Sequence, residues 1–374
     1  MLVNSITGTE RVLQMLSRVI HAPRQRNLGW GRVEAIAFRL AALAWIGLYC
    51  VGAGARTQNT VHDSASASAT VEKVIIDTDI GIDIDDPFAI ALALRSPELS
   101  IIGISTVSGD TLARAKILDR LLEESGHSDI PVAVGIRTQP TTPGLPEGLV
   151  GLQKRFGESR AYARTSHPAA TEFILNEIRK FPGQITLVAI GPLTNVAALI
   201  ERDSATSLKL KRVVMMGGSI GPIMDEEGKS HEAKPEYNIM VDIPAARAVF
   251  RSGIPIYVMP LNSTADLALD EVKRRSVFSQ ATPITDSLAL LYLLWGNTTP
   301  VLYDAMAVAF AVDPSLCPVI PMRVDVNDQG STEVKQGEPN VYVCLHSDPN
   351  SFFNYFMARV AVPEARNAKL AARE

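Results

Sequence analysis

The sequence predicts an α/β fold: an open, mostly parallel sheet with helices on both faces. Short apolar runs of strand length alternate along the chain with amphipathic stretches of helix length, the pattern of repeated strand-helix-strand units. No short-period repeat interrupts that alternation, which disfavours a solenoid or a propeller. With 374 residues, 47% of them hydrophobic, the chain can bury a large core.

In chain order, strands are expected at 74–76, 101–107, 132–134, 185–190, 213–216 and 256–259. Amphipathic helices are expected between them at 88–95, 112–125, 171–180, 196–202 and 245–252. Residues 270–312 read as mainly helical, 320–346 as a further strand pair and 352–361 as a final helix. In such sheets ligands bind beyond the carboxyl ends of the strands.

The amino-terminal part reads differently. Residues 1–56 hold seven Arg and two acidic residues, leaving 29 basic against 38 acidic residues, a formal −9, in the remainder. A body so charged repels nucleic acid rather than steering toward it. The basic stretch runs into an apolar segment at 40–54 that closes on Ala53, Gly54 and Ala55, the pattern of a secretory signal cut near Ala55 or of an uncleaved anchor. Residues 56–70, rich in Ser, Ala and Thr, read as a linker, and the folded body is expected over 71–374. The expected location is outside the cytoplasm, periplasmic or extracellular, with membrane contact confined to the amino-terminal segment if it is uncleaved. Past that segment only Cys317 and Cys344 remain, too few for a disulfide framework and without zinc spacing; one bridge or two buried thiols both fit.

The most informative stretch is 74–89, VIIDTDIGIDIDDPFA, where a strand of buried type runs into Asp77, Asp79, Asp83, Asp85 and Asp86. Five like charges so close repel unless something positive sits among them, and a hard divalent cation with oxygen ligands answers that need. Gly81 permits a tight reversal, and Asp86-Pro87 resembles a helix N-cap and first helical residue. A solvated acidic loop capping a helix is the plain alternative. The place of the cluster at a strand end favours the cation, and the spacing is not that of an EF-hand.

This segment resembles the aspartate signature of the nucleoside hydrolase family, in a longer form with two extra residues between its early and late aspartates. Further resemblances follow in the family's order: Gly191-Pro192-Leu193-Thr194-Asn195, Met215-Met216-Gly217-Gly218, Glu236-Tyr237-Asn238-Ile239 and Tyr303-Asp304-Ala305-Met306-Ala307-Val308-Ala309. Together they cover about residues 71–356, and an ordered series is far more specific than one acidic loop.

The resemblance implies hydrolysis of the N-glycosidic bond of ribonucleosides by a calcium-bound water, giving ribose and free base. It implies Ca2+ held by Asp79, Asp86, the main-chain carbonyl of Thr194 and Asp304, with Asp79 also taking the proton from water. It implies a substrate site formed by Asp85, Asp110, Met216, Glu236, Asn238 and Asp304, with Asp77 orienting the others. The partner so implied is a small nucleoside, and the assembly a homo-oligomer. Four residues depart from the family pattern: Ile82 stands before Asp83 where a small polar residue is common, Ser230 stands where some members carry an Asn that reaches the sugar, and the other two bear more directly on the chemistry. Tyr303 stands where purine-preferring members carry a His, and a phenol is a weaker acid near neutrality. Asp110 stands where many members carry Asn, and it can accept from a sugar hydroxyl but not donate. His231 is the best placed of the histidines, and Trp295, Tyr292, Phe156 and Tyr237 are candidates for stacking on a base.

Two other readings compete. Asp77-Thr78-Asp79 superficially fits the nucleophile motif of magnesium phosphatases of the haloacid dehalogenase type, but Gly81 stands where that motif wants Thr or Val. An exported nucleoside- or sugar-binding protein would use the same carboxylates and return its ligand intact.

Overall fold

The computed structural model describes residues 71–141, 150–159, 162–221, 223–224 and 230–363. The signal or anchor at 1–55 and the linker at 56–70 lie outside the described residues.

The body opens with β1 (Glu72–Thr78), α1 (Asp85–Leu94), β2 (Leu99–Thr106), α2 (Thr111–Glu124), β3 (Val132–Val134), α3 (Lys154–Glu158), α4 (Ala170–Lys180), β4 (Ile185–Ala189), α5 (Thr194–Arg202), α6 (Ser204–Ser207) and β5 (Arg212–Met216). A short pair follows, β6 (Ile223–Met224) with β7 (Ser230–His231), then α7 (Tyr237–Val241), α8 (Ile243–Phe250), β8 (Ile256–Met259), α9 (Leu261–Thr264), α10 (Glu271–Phe278), α11 (Pro283–Trp295) and α12 (Tyr303–Val312). The chain continues through β9 (Ile320–Met322), β10 (Val324–Val326), β11 (Thr332–Val334) and β12 (Val341–Val343) to α13 (Pro349–Val360).

Eight strands form one sheet in the order β3-β2-β1-β4-β5-β8-β12-β9. Every neighbouring pair is parallel except β9, which runs antiparallel to β12 at the edge. β1 lies centrally and reads as a continuous apolar run because both its faces are covered. Val74 and Ile76 enter one core with α1, α2 and α12, while Ile75 enters the other with α4, α5 and α8. The chain leaves β1 toward β2 on one side and reaches β4 on the other, so the order of strands reverses there and a crevice opens at their carboxyl ends.

Two local expectations are corrected, and one left open is decided. The first helix begins at Asp85, capped by Ile84 rather than Asp86, so Pro87 stands in its first turn. The position tolerates proline because first-turn N–H groups lack intrahelical partners anyway. The turn before it depends on Gly81 at φ +117°, where an added Cβ would stand 2.7 Å from Val150 Cγ1. Residues 320–346 form four short strands rather than two: β9 and β12 join the main sheet, and β10 and β11 pair as a separate hairpin. Cys317 and Cys344 are joined by a disulfide, with Cα atoms 5.6 Å apart, which ties the segment after α12 to the end of β12. Among the described residues no helix is long and apolar enough to cross a membrane.

Candidate active site

At the carboxyl ends of β1, β4 and β5 lies a cleft of about 420 Å3, within the range typical of small-molecule sites. Its acidic side is built by two helix amino termini that face each other. Asp85 and Asp86 are the first two residues of α1, and Asp304 is the second of α12. The helices pack together, and the Asp304 N–H donates to Asp85 Oδ2 at 3.3 Å. Ligand oxygens of Asp85, Asp86 and Asp304 all lie within 4.8 Å of one another, and all three residues are buried. Asp79, at the end of β1, lines the same cleft.

Burial raises the pKa of each of these carboxyls, and each feels the charge of its neighbours. Asp85, Asp86 and Asp304 stand well above the usual carboxylate range, from burial first and mutual repulsion second. Burial pushes Asp79 up to about 6 against the opposing pull of the Arg114 guanidinium. Two helix dipoles favour negative charge here but do not cancel that cost. Behind them Asp77 accepts from Ser105 Oγ at 2.5 Å and Asn195 Nδ2 at 2.8 Å, and burial raises it to about 7. Its other oxygen, Oδ2, is buried without a hydrogen-bond partner. A dense set of hard oxygen donors, buried and raised in pKa by its own repulsion, fits a divalent cation of the Ca2+ or Mg2+ kind and suits no soft metal.

The opposite side holds Met216, Glu236 and Asn238. Glu236 caps α7, accepting from the N–H groups of Asn238 at 2.8 Å and Ile239 at 3.2 Å, and from Gly218 at 2.9 Å. Burial still lifts it to about 7. The Asn238 amide is oriented by donation to the Met216 carbonyl at 3.3 Å. Ile82, Ile190, Met240 and Leu261 supply apolar wall, and Tyr237 and Tyr303 complete it. Burial raises both phenols to about 12, with Asp79 adding to the effect at Tyr237 and Asp85 at Tyr303, so both stay neutral donors.

The structure thus brings together Asp79, Asp83, Asp85, Asp86, Met216, Glu236, Asn238 and Asp304. It does not bring Asp110 with them. That carboxylate caps α2, accepting from the Ala113 N–H at 3.1 Å, the ordinary use of an Asp before a helix. Thr194 opens α5, and its hydroxyl, which is not the atom expected at the cation, donates to Asp242 Oδ2 at 2.7 Å beside Ile136 and Ala197; the expectation concerns its main-chain carbonyl. Asp85, expected at the ribose, stands inside the carboxylate group. Of the aromatic candidates only Tyr237 lines the cleft. Phe156 is buried under the Arg120 guanidinium, and Tyr292 packs between Phe278 and Trp295. Trp295 stands near Asp83, which lines the cleft. Missed altogether was Arg114, fully buried beneath the site; its signal was an arginine on the core stripe of a helix, in line with Ile117, Leu118 and Leu121.

Fold and cleft together define an α/β protein with a cation-suited carboxylate centre at the reversal of its strand order. The chain belongs to the inosine-uridine preferring nucleoside hydrolase family, whose model matches residues 74–354. It is 37% identical over 207 residues to uridine nucleosidase 1 of Arabidopsis thaliana, covering 54% of this chain and 59% of that protein. The match thus spans about three fifths of that plant relative's length. It is 30% identical over 319 residues to the pyrimidine-specific ribonucleoside hydrolase RihA of Citrobacter koseri, covering 77% and 97% of the two chains. Among solved structures it resembles the plant nucleoside hydrolase PpNRh1 with a TM-score of 0.68 and 27% identity, over 78% of this chain and all of that one.

Proposed function

We propose that the protein hydrolyses the N-glycosidic bond of ribonucleosides, releasing ribose and the free nucleobase, with Ca2+ held at the carboxylate centre. One observation carries the reading: carboxylates from the β1–α1 turn and from α12, far apart in sequence, converge in a cleft whose other side offers Glu236 and Asn238.

Breaking this bond leaves positive charge on the sugar ring, so the site must activate water, place negative charge beside the ring and let the base depart. Asp79, with a pKa near 6, is ionised at neutral pH yet basic enough to take a proton from an attacking water. The buried carboxylates of Asp85, Asp86 and Asp304 put their charge where the sugar cation forms, in a pocket that screens it little. When bound there, a divalent cation lowers the pKa of water and orients the ribose diol. Glu236 and the oriented Asn238 amide face the sugar from the other side, and the apolar wall with the two tyrosines receives the base. Tyr303 hydrogen-bonds to the departing base as a neutral phenol, with no ionised acid required.

The test is a panel of uridine, cytidine, inosine and adenosine with purified protein, with and without Ca2+, scored by reducing sugar and free base. Release of both from at least one unphosphorylated nucleoside is expected, with uridine the first choice given the activities named for the relatives. Nucleosides returned intact in the presence of Ca2+ would reduce the protein to a binder. The proposed location is outside the cytoplasm; the Cys317–Cys344 bridge supports it, because disulfides persist in oxidising compartments. Mature protein is expected to start near Arg56 and to titrate no free thiol after denaturation; a start at Met1 with two reactive thiols in the body would refute this. The exposed side chains of Leu290 and Leu293 on α11 support association with further copies of the chain.

A further inference from the structure

We propose that Arg114 is a positioning residue for Asp79, holding the base's main chain in place from beneath the cleft. It is the largest fully buried side chain of the described residues, and it points away from solvent under the turn that follows β1. Its Nε donates to the carbonyl of Ser108 at 2.8 Å. Its Nη1 donates to the carbonyls of both Asp79 and Ile80, the latter at 2.7 Å. One guanidinium therefore joins two neighbouring loops, the turn after β1 that carries the carboxylate cluster and the turn after β2.

The second turn is built to accept this. Ser108 adopts a left-handed φ of +67° and Gly109 one of +57°, a pair that aims the Ser108 carbonyl back toward α2. The turn is itself anchored, with the Ser108 and Gly109 N–H groups donating to the carbonyls of Ile136 and Thr138. Arg114 stands on the first turn of α2, whose start is fixed by the Asp110 cap and by donation from the Arg114 N–H to the Asp110 carbonyl. The cap residue expected to touch the sugar thus serves the site at one remove, by setting where the Arg114 helix begins.

A buried guanidinium is costly unless its donors are used. Here the planar fork reaches three carbonyls on two loops, which a lysine ammonium, a single point of donation, does not match. Because the Asp79 carbonyl is held, the point from which its side chain enters the cleft is fixed. The charge of Arg114 also favours the ionised forms of Asp79 and Asp86 against burial.

The inference rests on reading Asp79 as the base of a cation-dependent hydrolase, and the experiment separates the two. Arg114→Lys and Arg114→Met are prepared in the full chain, and each is measured for Ca2+ affinity by calorimetry, for kcat and KM with a nucleoside, and for Tm. Positioning predicts that both variants, at temperatures well below their Tm, bind Ca2+ at least about tenfold more weakly and lose about ten- to a hundredfold in kcat, with KM changed less than threefold. The Lys variant, which keeps the charge, should not restore either quantity. A lowered Tm with wild-type Ca2+ affinity and kcat in the Lys variant would overturn the proposal and leave Arg114 as core structure. Should the Met variant fail to fold, the Lys variant decides alone. Should wild type and Asp79→Asn prove equally active, the reading of Asp79 fails, whatever the Arg114 variants do to Ca2+ binding.

Discussion

Asp79→Asn is expected to lower kcat/KM by at least about a thousandfold while leaving the fold intact. The amide is nearly isosteric and keeps an oxygen toward the cleft, but it cannot accept the proton of an attacking water. Most of the loss should fall on kcat, because the sugar contacts of Glu236 and Asn238 and the apolar wall are untouched. Stability should move the other way. Asp79 is buried among Asp83, Asp85, Asp86 and Asp304, so removing its charge relieves repulsion, and the cation-free variant should melt no lower than the cation-free wild type. Activity within tenfold of wild type would remove Asp79 from the chemistry.

Stripping divalent cations is expected to stop turnover and to make stability fall as pH rises from about 4 to about 7. The sign follows from the carboxyls themselves. Asp79 titrates near 6 in the folded protein, and Asp77 and Glu236 near 7, each raised by burial. Between the unfolded value of about 4 and those folded values the native state holds more protons than the unfolded chain, so each pH unit gained there lowers the stability. Added Ca2+ binds the deprotonated set and should reverse the loss at pH 7 and above. At a hundredfold excess over Kd the gain is about 2.7 kcal/mol, or a Tm rise of about 4 °C for a body of this size. Thermal melts from pH 5 to 8 with chelator, with Ca2+ and with Mg2+ provide the measurement. Identical melts in all three would mean that the carboxylate centre holds no cation, and a response to Mg2+ alone would reassign the ion.

The sheet was legible because each strand is a short continuous apolar run. Runs at 74–76, 185–190 and 213–216 became β1, β4 and β5, the strands whose carboxyl ends carry the cleft. Asp79, Asp86 and Asp304 were legible as residues in an ordered series of motifs, and Glu236 and Asn238 likewise. What was not legible was division of labour within the cluster. Asp85 and Asp86 are adjacent, and the sequence separates a cation ligand from a sugar contact only if the helix start is known to the residue. The helix begins one residue before Asp86, which turns both carboxyls into the same group. Asp110 carries a related ambiguity, since a carboxylate before a helix serves equally well as a cap or as a ligand, and here its Oδ1 takes the cap. The aromatic wall was legible in part, in Tyr237. Phe156 and Tyr292 follow the periodicity of packed helices, and nothing in a one-dimensional pattern separates a ring that faces a cavity from one that fills the core.

Asp304 meets Asp85 across 219 residues of chain. Closing a loop of that length costs roughly 5 kcal/mol of chain entropy, and here the closing segment also delivers one more negative group into a nest of them. The carboxylate centre therefore forms only once α12 has been made, and by itself it is a part of the molecule that resists assembly. A divalent cation bound there would staple together two segments distant in sequence, so refolding is expected to be faster with Ca2+ present than with chelator.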